Sequence, residues 1–308
     1  MIVYNQISGN IAKTWLWLFV FFALVLSLGW IFSYVYDQPD FIIAAALLSS
    51  VGAIVSYWYS DAIALSLASA KAVERKTDFP QLFRIVENLC IAAGLPMPKL
   101  YVINDTAPNA FATGRDKNHA ALAVTAGLLD MMDEREVEGV IAHELSHIGN
   151  RDTLLMTAVV ILAGLVSVLS DLFLRMQWFG GRRSRDNDRE GQNILFLIGI
   201  VVSILAPFAA MLIRFAISRR REFLADANAV LITRYPEGLA SALEKIRQTG
   251  RVSYRASAAI DHLYFTSPFG SDRNKNASAM RQTPWYVTLF STHPPIEQRI
   301  AALKNMAQ

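Results

Sequence analysis

The stretch "VEGVIAHELSHIG" at residues 137–149 decides how the chain is read, because it sets His143 and His147 four residues apart around Glu144 in a segment that is otherwise apolar and helix-periodic. On a helix, positions i and i+4 stand one above the other on one face, so the two imidazoles can converge on a single ion. Neutral imidazole is a good zinc ligand, and catalytic zinc commonly keeps three protein ligands and one open position. Glu144, next to the first histidine, can reach a water at the metal rather than the metal itself, and is the candidate general base. Asp133 with Glu136 three residues later supplies a capping-box start, so the spacing predicts a helix over about 134–148.

A third ligand is expected on another rigid element. "SRRREFLADANAV" (218–230) offers Glu222 and Asp226, again four apart in a helical setting. Glu222 would complete a site of two histidines and one glutamate, and Asp226 could accept the other N–H of a ligand histidine and fix its tautomer. By composition alone, a glutamate after three arginines reads as well as a solvated ion-pair face.

Around this centre the chain is unusually apolar: 53% hydrophobic and 18% charged over 308 residues. Residues 14–36 form an uncharged run long enough to cross a bilayer, with Trp and Tyr at its ends, and 41–59 repeat the pattern after a four-residue connection. Two further apolar runs lie at about 153–174 and 194–217, joined by an arginine-rich segment. The tip of the first hairpin carries Asp37 and Asp40, whereas Lys13 precedes it and Lys71, Arg75 and Lys76 follow it, which puts the N-terminus and the segment after residue 60 in the cytoplasm. Charge does not decide whether the second pair spans. The net charge of +3 comes largely from arginines beside apolar runs, favouring a lipid bilayer and not nucleic acid as partner. Cys90, the single cysteine, forms no internal disulfide and reads as a small core residue.

Between the apolar blocks, Pro80 and Gly94 bracket an amphipathic helix with Leu82, Ile85, Val86, Leu89 and Ala93 on one face. Three short β-type runs follow at 99–104, 110–113 and 120–125, read as a small meander. Residues 251–292 read as long loops, and a terminal helix is expected over about 294–306. The fold class expected is a mostly α, α+β membrane protein: a transmembrane hairpin (1–60), a first catalytic half (61–152), two inserted apolar helices with an arginine-rich connection (153–217) and a second catalytic half (218–308).

"NAFATG" (109–114), "AHELSHIGNRD" (142–152), "RRREFLADANA" (219–229) and "STHPPIEQRI" (291–300), in this order and with four apolar runs, resemble the HtpX heat-shock membrane metallopeptidases, and more distantly the CAAX prenyl endopeptidases. The resemblance implies a zincin-like catalytic domain with one Zn2+ held by His143, His147 and Glu222, Glu144 as base and Asp226 in support. It implies a multi-pass protein of the bacterial inner membrane with its catalytic face in the cytoplasm. It also implies endoproteolysis of misfolded or damaged membrane proteins in quality control, with unfolded or membrane polypeptides as substrates and an oligomer possible. Asn109, Ala110, Phe111, Ala112, Thr113 and Gly114 would form an edge strand along which a substrate binds extended. His293 could cap the terminal helix, donate to the transition state or act as a reversible extra ligand, and Arg299 could pair with a carboxylate near the site. The rival readings are a zinc-bound membrane chaperone that does not cut and a site-specific processing protease.

Overall fold

In the computed structural model, residues 2–159, 162, 219–249, 264–265 and 294–307 are described. Helix α1 (Ile2–Tyr36) and α2 (Asp40–Trp58) form the apolar hairpin. Both contain stretches long and apolar enough to cross a membrane, Ser8–Tyr34 and Asp40–Trp58. The two helices approach closely at Gly29, where an added Cβ would collide with the Ala45 side chain. Trp15, Phe19, Trp30, Ile43, Leu47, Val51 and Ile54 remain outward and more than half exposed. An unpaired apolar surface of this size is what lipid would cover. The second pair of apolar runs and the 251–292 loops expected from the sequence lie almost wholly outside the described residues; of them, 152–159 are helical.

After the short α3 (Ser60–Leu67), the chain builds a four-stranded sheet from β1 (Lys71–Ala72), β2 (Lys99–Ile103), β3 (Ala110–Gly114) and β4 (Ala120–Thr125). The order is β1-β2-β4-β3, which corrects the expected meander: β2 runs parallel to β4, and only β3 and β4 form a hairpin. The six residues between β2 and β3 explain the difference. They are too many for a tight turn, and they include Pro108, which has no N–H to give. Instead they cross the end of β4, and the Asp105 carbonyl accepts the Gly127 N–H at 2.8 Å. A side chain on Gly127 would strike the Thr106 backbone, so glycine permits this crossing. The crossover leaves β3 on the sheet edge.

The sheet is covered on both faces, which is why "AALAVT" is a continuous apolar run instead of an alternating one. Ala110, Ala112, Leu122 and Val124 face α4 (Pro80–Ala93), α6 (Glu134–Gly149) and the C-terminal helices, while Phe111, Ala121 and Ala123 face α3 and Met156. Between the sheet and α6 lies the six-residue α5 (Ala126–Met131). Helix α4 ends as expected at Gly94, in the left-handed region at φ 66°. The capping box of α6 is complete, with Asp133 accepting from Glu136 N–H at 3.0 Å and Glu136 accepting from Asp133 N–H at 2.9 Å. Helices α7 (Arg219–Thr233) and α8 (Pro236–Thr249) pack against α6, and α9 (Ile296–Met306) packs on α8 and α7.

Two outcomes test this packing. A Cβ at Gly139 would lie 2.7 Å from the Leu239 nitrogen and 2.9 Å from its Cα. Gly139→Ala should therefore force α6 from α8 and cost about 1–3 kcal/mol in thermal or denaturant unfolding; an unchanged stability would contradict the contact. Burial pushes the Cys90 thiol up to about 11, leaving roughly one molecule in a thousand as thiolate at pH 8. Alkylation of the folded protein should be negligible at pH 8, rise about tenfold per pH unit towards 10, and become complete on denaturation. Rapid labelling of the folded chain at pH 8 would place Cys90 at the surface.

Candidate metal centre

Helix α6 carries His143, Glu144 and His147 into the interior, where all three are at least 95% buried. The imidazole Nε2 atoms of His143 and His147 face each other at 3.1 Å. Two nitrogens about 2.0–2.1 Å from one tetrahedral ion stand roughly 3.3 Å apart, so their separation suits a shared ion. Glu222, on the first turn of α7, brings its carboxylate to 3.8 Å from His143 Nε2 and 3.6 Å from His147 Nε2. One ligand atom from each of the three residues lies within 4.8 Å of the others. Between them is a cavity of about 10 Å³, floored by Glu144 and bounded by Ala112, Thr153, Met156, Tyr264 and Phe265.

The opposite ring nitrogens are fixed from behind. His143 Nδ1 lies 2.8 Å from Asp226 Oδ1, and His147 Nδ1 lies 3.0 Å from Asp152 Oδ2. A carboxylate at Nδ1 retains the proton there and leaves the Nε2 lone pair free for a metal. Asp226 is itself gripped by Arg299, whose Nε and terminal nitrogen donate to its two oxygens at 2.9 and 2.7 Å. The Arg299 guanidinium stacks 4.6 Å from the Phe265 ring centre, which meets His143 edge-on at 4.9 Å. Against the cost of burial, the charge of Arg299 and the bond to His143 hold the Asp226 carboxyl down at about 2.

Whether a divalent cation fits can be judged from charge. Among the described residues, Glu144, Asp152, Glu222 and Asp226 put four buried carboxylates around the histidines, against the two buried guanidiniums of Arg221 and Arg299. With every carboxylate ionised and both imidazoles neutral, two negative charges would be left over among buried groups, a costly arrangement unless a cation or protons join them. The histidines respond accordingly. Burial alone would lower His147, yet the bond to Asp152 and the charge of Glu222 lift it to about 9. His143, which burial and Arg299 both disfavour as a cation, falls to about 4. Burial, with Glu222 adding to it and His147 opposing, raises Glu144 to about 8. Without a metal, the balancing protons thus sit on His147 and Glu144; two imidazoles and one carboxylate that give up those protons to a divalent cation suit zinc.

The sequence-predicted residues thus meet at one place: His143, Glu144, His147, Glu222, Asp226 and Arg299. Arg299 stands on the Nδ1 side of His143, where it holds Asp226. Asn109 is buried ahead of β3, its side chain accepting from Ala110 N–H at 3.1 Å. Ala110 to Gly114 form the edge strand, and Ala112 N–H donates to Glu144 Oε2 at 2.8 Å. Thr113 turns its hydroxyl to Thr157 at 3.2 Å. His293 lies outside the described residues, as does His262; His119 is at the surface beside Asp116. The sequence reading missed Asp152. It stands five positions after His147, off the helical register, and returns to the histidine because Arg151 adopts a left-handed backbone at φ 60°.

Comparison with known proteins agrees with this geometry. The model of Peptidase family M48 matches residues 76–307. The "Protease HtpX homolog" of Caldanaerobacter subterraneus is 44% identical over 99% of this chain and 98% of its own length. Its namesake from Dictyoglomus thermophilum is 42% identical over 99% of this chain and 95% of its own. Among solved structures, S. mikatae Ste24p is similar with a TM-score of 0.51 at 17% identity, over 97% of this chain and 67% of that one, a likeness of fold.

Asp226→Asn should weaken zinc binding by about 10–100-fold, since an amide holds the His143 ring less firmly. It should also lower the stability of the metal-free protein by about 3 kcal/mol, because buried Arg299 loses its two-pronged carboxylate partner and retains only the Glu222 ion pair at 3.9 Å among the described residues. Chelator competition and thermal unfolding measure the two effects; unchanged zinc affinity would detach Asp226 from the metal centre.

Proposed function

This chain belongs to Peptidase family M48, among the HtpX homologues, and is a metallopeptidase; from that premise we propose that it is a membrane-integrated zinc endopeptidase acting on misfolded or damaged proteins. The observation that carries the reading is the convergence of His143, His147 and Glu222 beside Glu144, next to the outer edge of β3.

A zinc ion held by those three residues supplies a Lewis acid for the scissile carbonyl and a water acidified towards neutral pH. The rest is done by the chain. An extended substrate adds to the β3 edge through backbone bonds, which give affinity with little demand on side-chain identity, as a quality-control protease requires. The edge accepts such bonds, since Phe265 N–H donates to Ala110 O at 2.8 Å, a bond that a substrate strand would replace. Glu144 takes the proton of the attacking water and delivers it to the leaving amine. In the metal-free site burial holds that carboxyl near 8, mostly protonated at neutral pH, and a zinc ion beside it would favour the carboxylate that a base requires. The Ala112 N–H aims that carboxylate from the strand that binds substrate. Arg299 acts through Asp226 on His143 and is read as a positioning residue. His293, which shares its segment with Arg299, is proposed as a donor or reversible ligand at the same site.

The apolar hairpin supports integration in a bilayer. Its acidic tip and the lysines and arginine flanking its base support a cytoplasmic catalytic face in the bacterial inner membrane.

Glu144→Gln should reduce cleavage of an unfolded model polypeptide by detergent-purified protein about 10²–10⁴-fold while one zinc per chain stays bound. Loss of the zinc would make Glu144 a ligand, and retained cleavage would remove it as the base.

A further inference from the structure

Asp152, which holds His147, is itself held from far away in the sequence. The Asn10 side-chain nitrogen donates to Asp152 Oδ1 at 2.7 Å and to the Asn150 carbonyl at 3.0 Å, so both hydrogens of one carboxamide are committed to the turn that follows the metal-ligand helix. Asn10 is on α1, inside the apolar stretch Ser8–Tyr34, and is only 3% exposed. A buried amide so near the end of an apolar span is expensive unless its bonds are met. Here they are met by the metal centre.

We propose that Asn10 is a positioning residue of the metal site, acting through Asp152 on His147, so that the first apolar helix completes the zinc centre as well as anchoring the chain. The proposal rests on the assignment of His143, His147 and Glu222 as the zinc ligands. At the turn from Asn150 to Asp152 the ladder of the ligand helix ends, with Asn150 N–H on Ser146 O at 3.0 Å and Arg151 N–H on Ile148 O at 3.2 Å, and Arg151 sits in a left-handed conformation that non-glycine residues seldom adopt. Asp152 therefore depends on side-chain partners for its aim. Arg221 is 3.6 Å from the same Oδ1 and supplies charge. Asn10 supplies direction: its two donors fix Oδ1 and the Asn150 carbonyl together, turning Oδ2 to His147 Nδ1 at 3.0 Å. No other side chain of this length offers two donors from one nitrogen without a net charge. The hairpin touches this segment a second time, where Ser56 Oγ of α2 donates to Ala158 O at 3.0 Å. Asn10 lies outside residues 76–307, which the family model matches.

The test is zinc affinity of the full-length, detergent-purified protein, measured by competition with a chromophoric chelator, for Asn10→Ala, Asp152→Ala and the double variant. Asn10→Ala should weaken zinc binding about 10-fold, at the lower end of the range for residues behind a ligand. In the Asp152→Ala background the same substitution should change affinity less than twofold, because the path from α1 to His147 is already cut. Asn10→Ser, which retains one donor, should fall between. If Asp152→Ala does not fold, Asp152→Asn replaces it, and the effect of Asn10→Ala should shrink in that background. Affinity within twofold of the unmutated chain for both Asn10 variants, or equal losses with and without Asp152, would overturn the proposal. If the unmutated chain itself holds no zinc, the ligand assignment fails and the proposal falls with it.

Discussion

Burying charge without water is the constraint on which this molecule turns. Four carboxylates and two guanidiniums, packed around two imidazoles, form a centre that is stable only if each charge finds a partner; among the described residues, with all four carboxylates ionised and both imidazoles neutral, the negative charges outnumber the positive by two. A divalent cation closes that imbalance. The site is thus both a reactive centre and a structural keystone, since α6, α7 and α9 each contribute a charge that the others neutralise. Arg299 shows the economy of the arrangement: one buried guanidinium holds Asp226, stacks on Phe265 and thereby constrains His143 from two directions.

Catalytic geometry needs a second element at a fixed distance from the metal, and the sheet provides it. Because β2 and β4 are parallel and the connection between them carries β3 outward, β3 has one edge paired and one edge turned to α6. The bond from Ala112 N–H to Glu144 couples that edge to the base. Had the strands formed a meander, β3 would lie between β2 and β4 with both edges used, and the substrate pairing proposed above would have no place beside the metal. The glycine at 127, which lets the 104–109 segment cross over the start of α5, is in this sense a functional residue.

The parts of the site that were legible in the sequence are those written in helical spacing. His143 and His147, and then Glu222 and Asp226, are each four apart, and that period alone aims them to one side. The capping box at Asp133 and the Pro80 and Gly94 boundaries of α4 were legible for the same local reason. What escaped depended on distant pairing. Strand order is set by how a six-residue connection crosses a neighbour, and strand composition does not encode it. The two-residue strand β1 is too short to leave a pattern. Asp152 is brought back by one left-handed residue, out of step with any periodicity, and Asn10 is separated from it by 142 positions. Asn10 precedes the apolar run read at 14–36, and no motif or spacing marks it.

The most direct test is X-ray absorption at the zinc edge of the zinc-loaded, full-length protein. The account requires one zinc per chain, with a nitrogen and oxygen shell at about 2.0–2.1 Å and the outer-shell scattering of two imidazoles. A bound zinc with one imidazole or none, or a chain that retains no zinc, would contradict the centre described here.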